Sequence, residues 1–170
     1  MAKRKPKWRS GCPLNASLEM LGDRWSLLII RDMMLLGSQR FKEFLGSHER
    51  IATNILADRL RKLGAYGIIR TESDPSDGRK LIYRLTPKGI DLAPVLTEMV
   101  LWAGRHEKTE NQALVRLMEK DKQKFLEGIR ERWKQNQHAA HDFGGHRVEA
   151  LKATDEAIRQ LEMCLKYDKD

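Results

Sequence analysis

Cysteine is scarce in this sequence: Cys12 and Cys164 are the two present in 170 residues. Two cannot build a multi-bridge disulfide framework, and neither belongs to a metal-type CxxC pair. Both thiols are expected to be free, in a reducing cytoplasmic setting. Long hydrophobic runs are missing as well. Stretches such as Leu27 to Ile30 fall far short of the ~18 apolar residues that a membrane span needs, so no membrane association is expected. The first ten residues are charged and no apolar segment follows them, so a secretion signal is not expected. Enzyme signatures are also wanting. There is no GxSxG, no phosphate-cradling glycine loop, no HExxH and no Ser-His-Asp set with supporting context. The carboxylates are interleaved with Lys and Arg, as on solvated helix faces. No enzyme activity and no cofactor are expected. A chain of 19.7 kDa has room for one domain, or a small domain with a helical appendage, and not for a large barrel.

Positive charge is what the sequence does have, and it is unevenly placed. Residues 1–105 carry 19 Lys and Arg against 11 Asp and Glu, whereas residues 106–170 carry 13 of each. The whole net charge of +8 therefore belongs to the first part of the chain. Lys3, Arg4, Lys5, Lys7 and Arg9 form a tail without a single acid. A basic part followed by a neutral part suggests a polyanion-binding module joined to helices with another task.

Apolar periodicity divides the chain into elements. Leu14, Leu18 and Leu21 make a helical stripe that Gly22 closes. Asp23 is an N-cap for a helix over Arg24 to Leu36, apolar nearly all round and expected at the centre of the domain. Gly37 ends it. Phe41, Phe44 and Leu45 mark a short third helix, and Gly46 to Arg50 a polar turn. Ile51 to Leu63 follows as a fourth helix, apolar at 51, 55, 56, 60 and 63 and polar on the opposite face. The period then changes. Tyr66 to Thr71 and Lys80 to Leu85 read as two strands, with a concentrated turn signal over Ser73 to Gly78 between them. Thr86-Pro87 opens another helix that runs to about Arg105, with Pro94 bending or breaking it. Beyond residue 106 the pattern is helical. Leu114 to Trp133 gives one stripe and Val148 to Leu165 another, forming a helical hairpin about the aperiodic stretch His138 to His146.

Three helices, a two-stranded hairpin and a further helix make a mainly α fold with a small β-hairpin, a winged helix-turn-helix. A C-terminal helical hairpin follows it. Expected boundaries are a basic tail over 1–11, a DNA-binding domain over 12–105, and a helical extension over 106–170. The major groove of duplex DNA is ~12 Å wide and admits one helix. The polar face of the fourth helix, Ala52, Thr53, Asn54, Ala57, Asp58 and Arg61, is the candidate reading surface. Asn54 suits adenine, Arg61 a phosphate or guanine, and Thr53 a thymine methyl or a phosphate. Asp58 is adverse near phosphates unless it accepts from a cytosine amino group or orients Arg61. Arg79 and Lys80 on the hairpin, the wing, are placed to lie along the minor groove or the backbone, and Arg40 joins the same basic surface.

These residues also carry a family resemblance. Cys12-Pro13, Leu18, Leu21-Gly22-Asp23-Arg24-Trp25 and Leu28-Ile29 resemble the opening of the HxlR family of bacterial winged-helix regulators. Arg40-Phe41-Lys42-Glu43-Phe44 is similar to its RF-x-E-L signature. Leu56, Leu60, Arg61, Leu63 and Gly67-Ile68-Ile69-Arg70 resemble its recognition helix and first wing strand. Tyr83-Arg84-Leu85-Thr86, Lys88-Gly89 and Trp102 resemble the second strand and closing helix. The resemblance covers about residues 12–105 and leaves the extension unexplained. Asp74, Asp77, Gly78 and Arg79 at the wing tip look more like the MarR family, in which a tip aspartate can hold the arginine that enters the minor groove.

The resemblance implies a transcriptional regulator, a repressor by expectation, acting as a homodimer on a pseudo-palindromic operator of double-stranded DNA. Its half-sites would lie ~34 Å apart. Such a protein works in the cytoplasm, at the nucleoid. Dimer contacts would come from the first helix and the closing helix. Cys12 resembles the redox-sensing cysteine of some members, and it sits beside a basic tail at a helix start, the electropositive setting that reactive thiols use. A thiol event at Cys12 or a small-molecule effector is the expected signal. Trp25 and Trp102 are expected in the core. His138, His141, Asp142 and His146 are the one cluster of metal-type ligands, and a solvated loop without metal is the expected reading. The alternative from another class is a protein-interaction module, in which the winged helix and the helical hairpin dock a partner protein.

Overall fold

The computed structural model describes residues 8–74 and 77–138. The described residues divide into two compact units, one holding 8–33 with 37–74 and 77–89, the other 34–36 with 90–138. The expected metal-type cluster, Cys164 and the second limb of the helical hairpin lie outside the described residues, apart from His138 at the end of its helix.

The first unit begins with α1 (Pro13–Leu21) and α2 (Arg24–Arg31); the chain runs on as a π-helical turn over Asp32–Leu36, of which residues 34–36 belong to the second unit. Asp23 caps α2 as expected. Its Oδ1 accepts from the amides of Trp25 and Ser26 at 3.0 Å each, and Oδ2 accepts from the Ser26 hydroxyl at 2.6 Å. Gly37 closes the stretch with φ +70°, a conformation glycine adopts without the Cβ penalty. Ile29, Ile30 and Met33 of this stretch are buried, in agreement with its apolar sequence. Next come α3 (Phe41–Leu45) and α4 (Thr53–Ala65), with Phe44, Leu56, Leu60 and Leu63 buried.

The chain then forms an antiparallel hairpin of β1 (Ile69–Asp74) and β2 (Asp77–Leu85), pairing Ile69 with Leu85 and Thr71 with Tyr83. The boundaries differ from the sequence expectation, as do those of α4, expected over Ile51 to Leu63. β1 starts at Ile69 rather than Tyr66 because residues 66–68 finish α4. The Ile68 amide donates to the Leu63 carbonyl and the Gly67 amide to Gly64, each at 3.0 Å, with Gly67 at φ +68°. That is a Schellman termination, and it uses up the start of the expected strand. The expected turn over Ser73 to Gly78 is also narrower, because the strands reach Asp74 and Asp77, which pair across the hairpin. Arg70 and Arg84 face each other across the ladder, a like-charge pair that Glu72 bridges at 2.8 Å and 2.9 Å. The preceding loop adds a third edge, with the Tyr83 amide donating to the Gln39 carbonyl at 2.8 Å and Arg40 bridged to Ile82. Thr86 caps the one-turn helix α5 (Pro87–Ile90) by accepting from the Gly89 amide at 3.2 Å.

The second unit contains α6 (Ala93–His106), α7 (Gln112–Lys120) and α8 (Lys122–His138). Pro94 sits in the first turn of α6, so it marks a break after α5 and not a bend. The stripe expected as one helix over 114–133 is two helices. Asp121 ends α7 and accepts from the Lys124 amide at 2.9 Å, capping α8. Leu101, Val115 and Met118 form the core here, with Val100, Leu114 and Phe125 against it. Gly104 makes the approach of α7 feasible, since a Cβ there would stand 2.6 Å from Val115 Cγ2. Arg132 of α8 donates to the Leu35 carbonyl at 3.0 Å, and burial holds its guanidinium below the ordinary value.

Candidate nucleic-acid interface

Helix α4 divides cleanly into two faces. Leu56, Leu60 and Leu63 are buried, while Ala52, Thr53, Asn54, Ala57 and Arg61 are exposed. The inner face also carries charge that anchors the helix. Arg59 lies 3.3 Å and Lys62 3.8 Å from the carboxylate of Asp23. Burial pushes the Asp23 carboxyl up, but the hydrogen bonds from Ser26 and Trp25 outweigh it and hold the group below its ordinary value. One aspartate thus caps α2 and fixes α4. The outer face is left to solvent, and Ala52, at the N-cap of α4, offers no side-chain oxygen to its first amides.

Asp58 and Arg61, candidates of opposite charge, are joined at 2.6 Å on that face. In this pair the Asp58 carboxylate accepts from the Arg61 guanidinium. On the hairpin, Arg79 stands almost fully exposed at 93% and touches Asp77 at 3.3 Å, and Lys80 reaches Asp77 at 3.2 Å. The Arg79 amide, then the Lys80 and Arg79 side chains, hold the Asp77 carboxyl below its ordinary value. Arg40 is tied more firmly, its Nε and Nη2 donating to Oδ2 of the buried Asp74 at 3.0 Å and 2.8 Å. Glu43 shapes the same segment by accepting from the amides of Gln39 and Arg40 at 2.6 Å and 2.9 Å.

The turn between α3 and α4 is locked by charge. Arg31 reaches Glu49 Oε1 and Asp32 Oδ1, each at 2.6 Å, and the Ser47 hydroxyl donates to Glu49. The Arg31 guanidinium brings the Glu49 carboxyl down to about 2, whereas burial raises that of Asp32. Sequence reasoning passed over Arg50 in this turn. No one-dimensional pattern marks it, because what singles it out is a backbone angle.

Other expectations are placed as follows. Cys12 is exposed at the N-cap of α1, its amide donating to the Ser10 hydroxyl at 3.3 Å. Trp25 is half-buried, with the Arg24 guanidinium 5.0 Å from its ring centroid. Trp102 is not a core residue. It lies 60% exposed on α6, beside His106, because the buried face of α6 is that of Ala93, Thr97 and Leu101, and Trp102 shares the exposed face with Val95 and Met99. A hollow of about 250 Å³ opens between α3, α4 and the hairpin, lined by Phe41, Leu60, Arg61 and Tyr83 among others. Among the described residues no group of three or more His, Cys, Asp or Glu is placed to hold a metal ion. No helix among them is long and apolar enough to cross a membrane.

Comparison with known proteins assigns this arrangement. The family model described as HxlR-like helix-turn-helix matches residues 20–111. The chain belongs to the HxlR-like helix-turn-helix family. It is 39% identical over 93 residues to the HTH-type transcriptional regulator YodB of Bacillus subtilis (strain 168), spanning 54% of this chain and 82% of YodB. Among solved structures, PA1607 matches with a TM-score of 0.54 and 38% identity, over 59% of this chain and 69% of that one. The redox regulator HypR in its oxidized form matches with a TM-score of 0.50 and 27% identity, over 58% of this chain and all of HypR. HxlR-type proteins are DNA-binding transcription regulators and not enzymes, and this chain is a transcriptional regulator of that type. The hairpin described above is accordingly a wing.

Proposed function

We propose that this chain is a homodimeric, sequence-specific regulator of transcription, acting as a repressor on a pseudo-palindromic duplex operator. The observation that carries the reading is the division of α4 into a buried leucine face and an exposed face bearing Thr53, Asn54, Ala57 and Arg61. A helix anchored on one side and polar on the other can enter the ~12 Å major groove without disturbing the core. In this reading Asn54 and Arg61 face base edges or phosphates, with Asp58 orienting Arg61. Thr53 and the small Ala52 and Ala57 permit close approach. Arg79 and Lys80 lie along the backbone or in the minor groove, and Arg40 positions the wing through Asp74.

Two apolar stripes support the dimer. Leu14 and Leu18 on α1 are 68% and 58% exposed, and Val95, Met99 and Trp102 on α6 are about half exposed or more. Spacings of four and three residues put each set on one helix face, and unfilled stripes of this kind mark association surfaces. The exposed thiol of Cys12, beside the basic tail, or a small effector supplies the signal by changing the spacing of the two α4 helices. The site of action is chromosomal DNA in the cytoplasm.

Selection of bound sequences from a random duplex library, under reducing conditions, tests this reading. A two-fold symmetric motif with half-sites about one helical turn apart is expected. Salt-sensitive binding without sequence preference would overturn it. Repeating the binding with oxidant, on the native chain and on Cys12→Ser, checks the thiol switch, which is overturned if the two respond alike.

A further inference from the structure

Arg50 has φ +54°, the one non-glycine residue with positive φ among the described residues. A long side chain in the left-handed region carries a steric cost that glycine escapes and asparagine partly offsets. The two neighbours of Arg50 impose the conformation. Glu49 on one side is fixed by Arg31 and by the Ser47 hydroxyl. Ile51 on the other is buried. Between these anchors the chain must turn sharply into α4, and the Arg50 amide donates back to the Ser47 carbonyl at 3.1 Å.

The side chain itself is exposed and joins no ion pair among the described residues. Its neighbouring carboxylate is already engaged by Arg31, in contrast to Arg40, Arg61 and Arg79, each of which has its own acid. A basic side chain thus occupies a position where the backbone favours glycine, on a rigidly held turn, two residues before the N-cap of α4. We infer that Arg50 is a phosphate-contacting residue, held over the DNA backbone beside α4 by the Arg31–Glu49–Ser47 lock. The inference rests on the DNA-binding reading of α4. A local backbone cost retained beside a binding surface is expected where the side chain repays it in the complex. The fixed turn also spares the guanidinium part of the ordering cost on binding.

The test uses the full chain, Arg50→Gly, Arg50→Ala and Arg50→Lys, with a random-sequence duplex pool about three helical turns long. Binding is titrated between about 50 and 200 mM salt. The slope of log affinity against log salt is expected to flatten by about 0.9 per bound protomer in both the Gly and Ala variants, and to stay unchanged in Lys. The affinity loss falls evenly across sequences, as for a phosphate contact. In thermal melts of the free proteins, Arg50→Gly is expected above Arg50→Ala, since glycine adopts the left-handed angle freely. Unchanged slopes in the Gly and Ala variants, with the unsubstituted chain binding normally, overturn the role of Arg50 alone. A loss confined to one base position overturns the phosphate assignment. Absence of duplex binding by the unsubstituted chain overturns the reading of α4 and this inference with it.

Discussion

Arg40 and Asp74, 34 residues apart, are joined by two hydrogen bonds from Nε and Nη2 to a single carboxylate oxygen. The arginine precedes α3 and the aspartate ends the first wing strand, so the pair fastens the wing to the helical part of the same unit. Asp74 is buried and Arg40 is half exposed, so the arginine supplies charge to an acid that water does not reach.

Arg40→Ala is therefore expected to destabilise the chain by about 1–3 kcal/mol, the cost of leaving a buried acceptor short of a charged donor. Arg40→Lys should recover part of that loss, because an ammonium cannot reproduce the two-donor fork. Urea denaturation followed by circular dichroism measures both. An Arg40→Ala midpoint equal to that of the unsubstituted chain would show that the pair does not hold the wing.

The Arg31–Glu49 contact predicts a pH dependence. Glu49 titrates at about 2 in the folded chain against an ordinary 4.5, chiefly through its hydrogen bond from Arg31. A depressed carboxylate contributes stability that is complete above its unfolded value and is lost as pH falls through its folded value. Glu49→Gln should thus cost on the order of 1–3 kcal/mol at pH 7, and the difference from the unsubstituted chain should fade from about pH 4.5 towards 2. Asp32, raised by burial, acts in the opposite sense, so the comparison must be between the two proteins at each pH. A difference independent of pH would remove the ion pair as its cause.

Two glycines of the second unit should respond in opposite directions to alanine. At Gly104 a Cβ would meet the Val115 side chain at 2.6 Å and 2.7 Å, and overpacking of this kind costs about 1–3 kcal/mol. At Gly128 in α8 nothing lies within 4 Å, so alanine should gain about 1 kcal/mol of helix propensity. Thermal melts of the two variants decide the matter, and equal shifts would contradict the close approach of α6 and α7.

On DNA, Arg79→Ala should weaken binding to all sequences, flattening the salt slope by about 0.9 per protomer. Asn54→Ala should instead relax preference at one base position, where a good side-chain pairing discriminates by about 1–3 kcal/mol. Titration against a selected duplex and its single-base variants separates the two. Uniform loss in Asn54→Ala would remove its base-reading role.

Local signals in the sequence were sufficient for most elements. Asp23, Thr86 and Gly37 occupy the caps and stop they advertise, because capping depends on side chains within three residues of the helix end. The buried leucines of α4 follow from their spacing alone. Periodicity could not show that Tyr66 to Ile68 serve as a helix terminus, since apolar and aromatic residues suit a strand equally well. Nor could it separate α7 from α8, whose apolar positions keep nearly the same phase across Asp121.

The winged-helix order of elements, the polar face of α4 and the basic bias of the first 105 residues are properties of pattern and composition, legible along the chain. Tertiary structure decided which charges are held and which are left over. Asp74 takes Arg40, Glu49 takes Arg31, Asp23 takes Arg59 and Lys62, and Arg50 is turned outward in a left-handed conformation. The reason is physical. Pairing depends on distances between segments far apart in the chain, and a backbone angle follows from the anchors on either side of it.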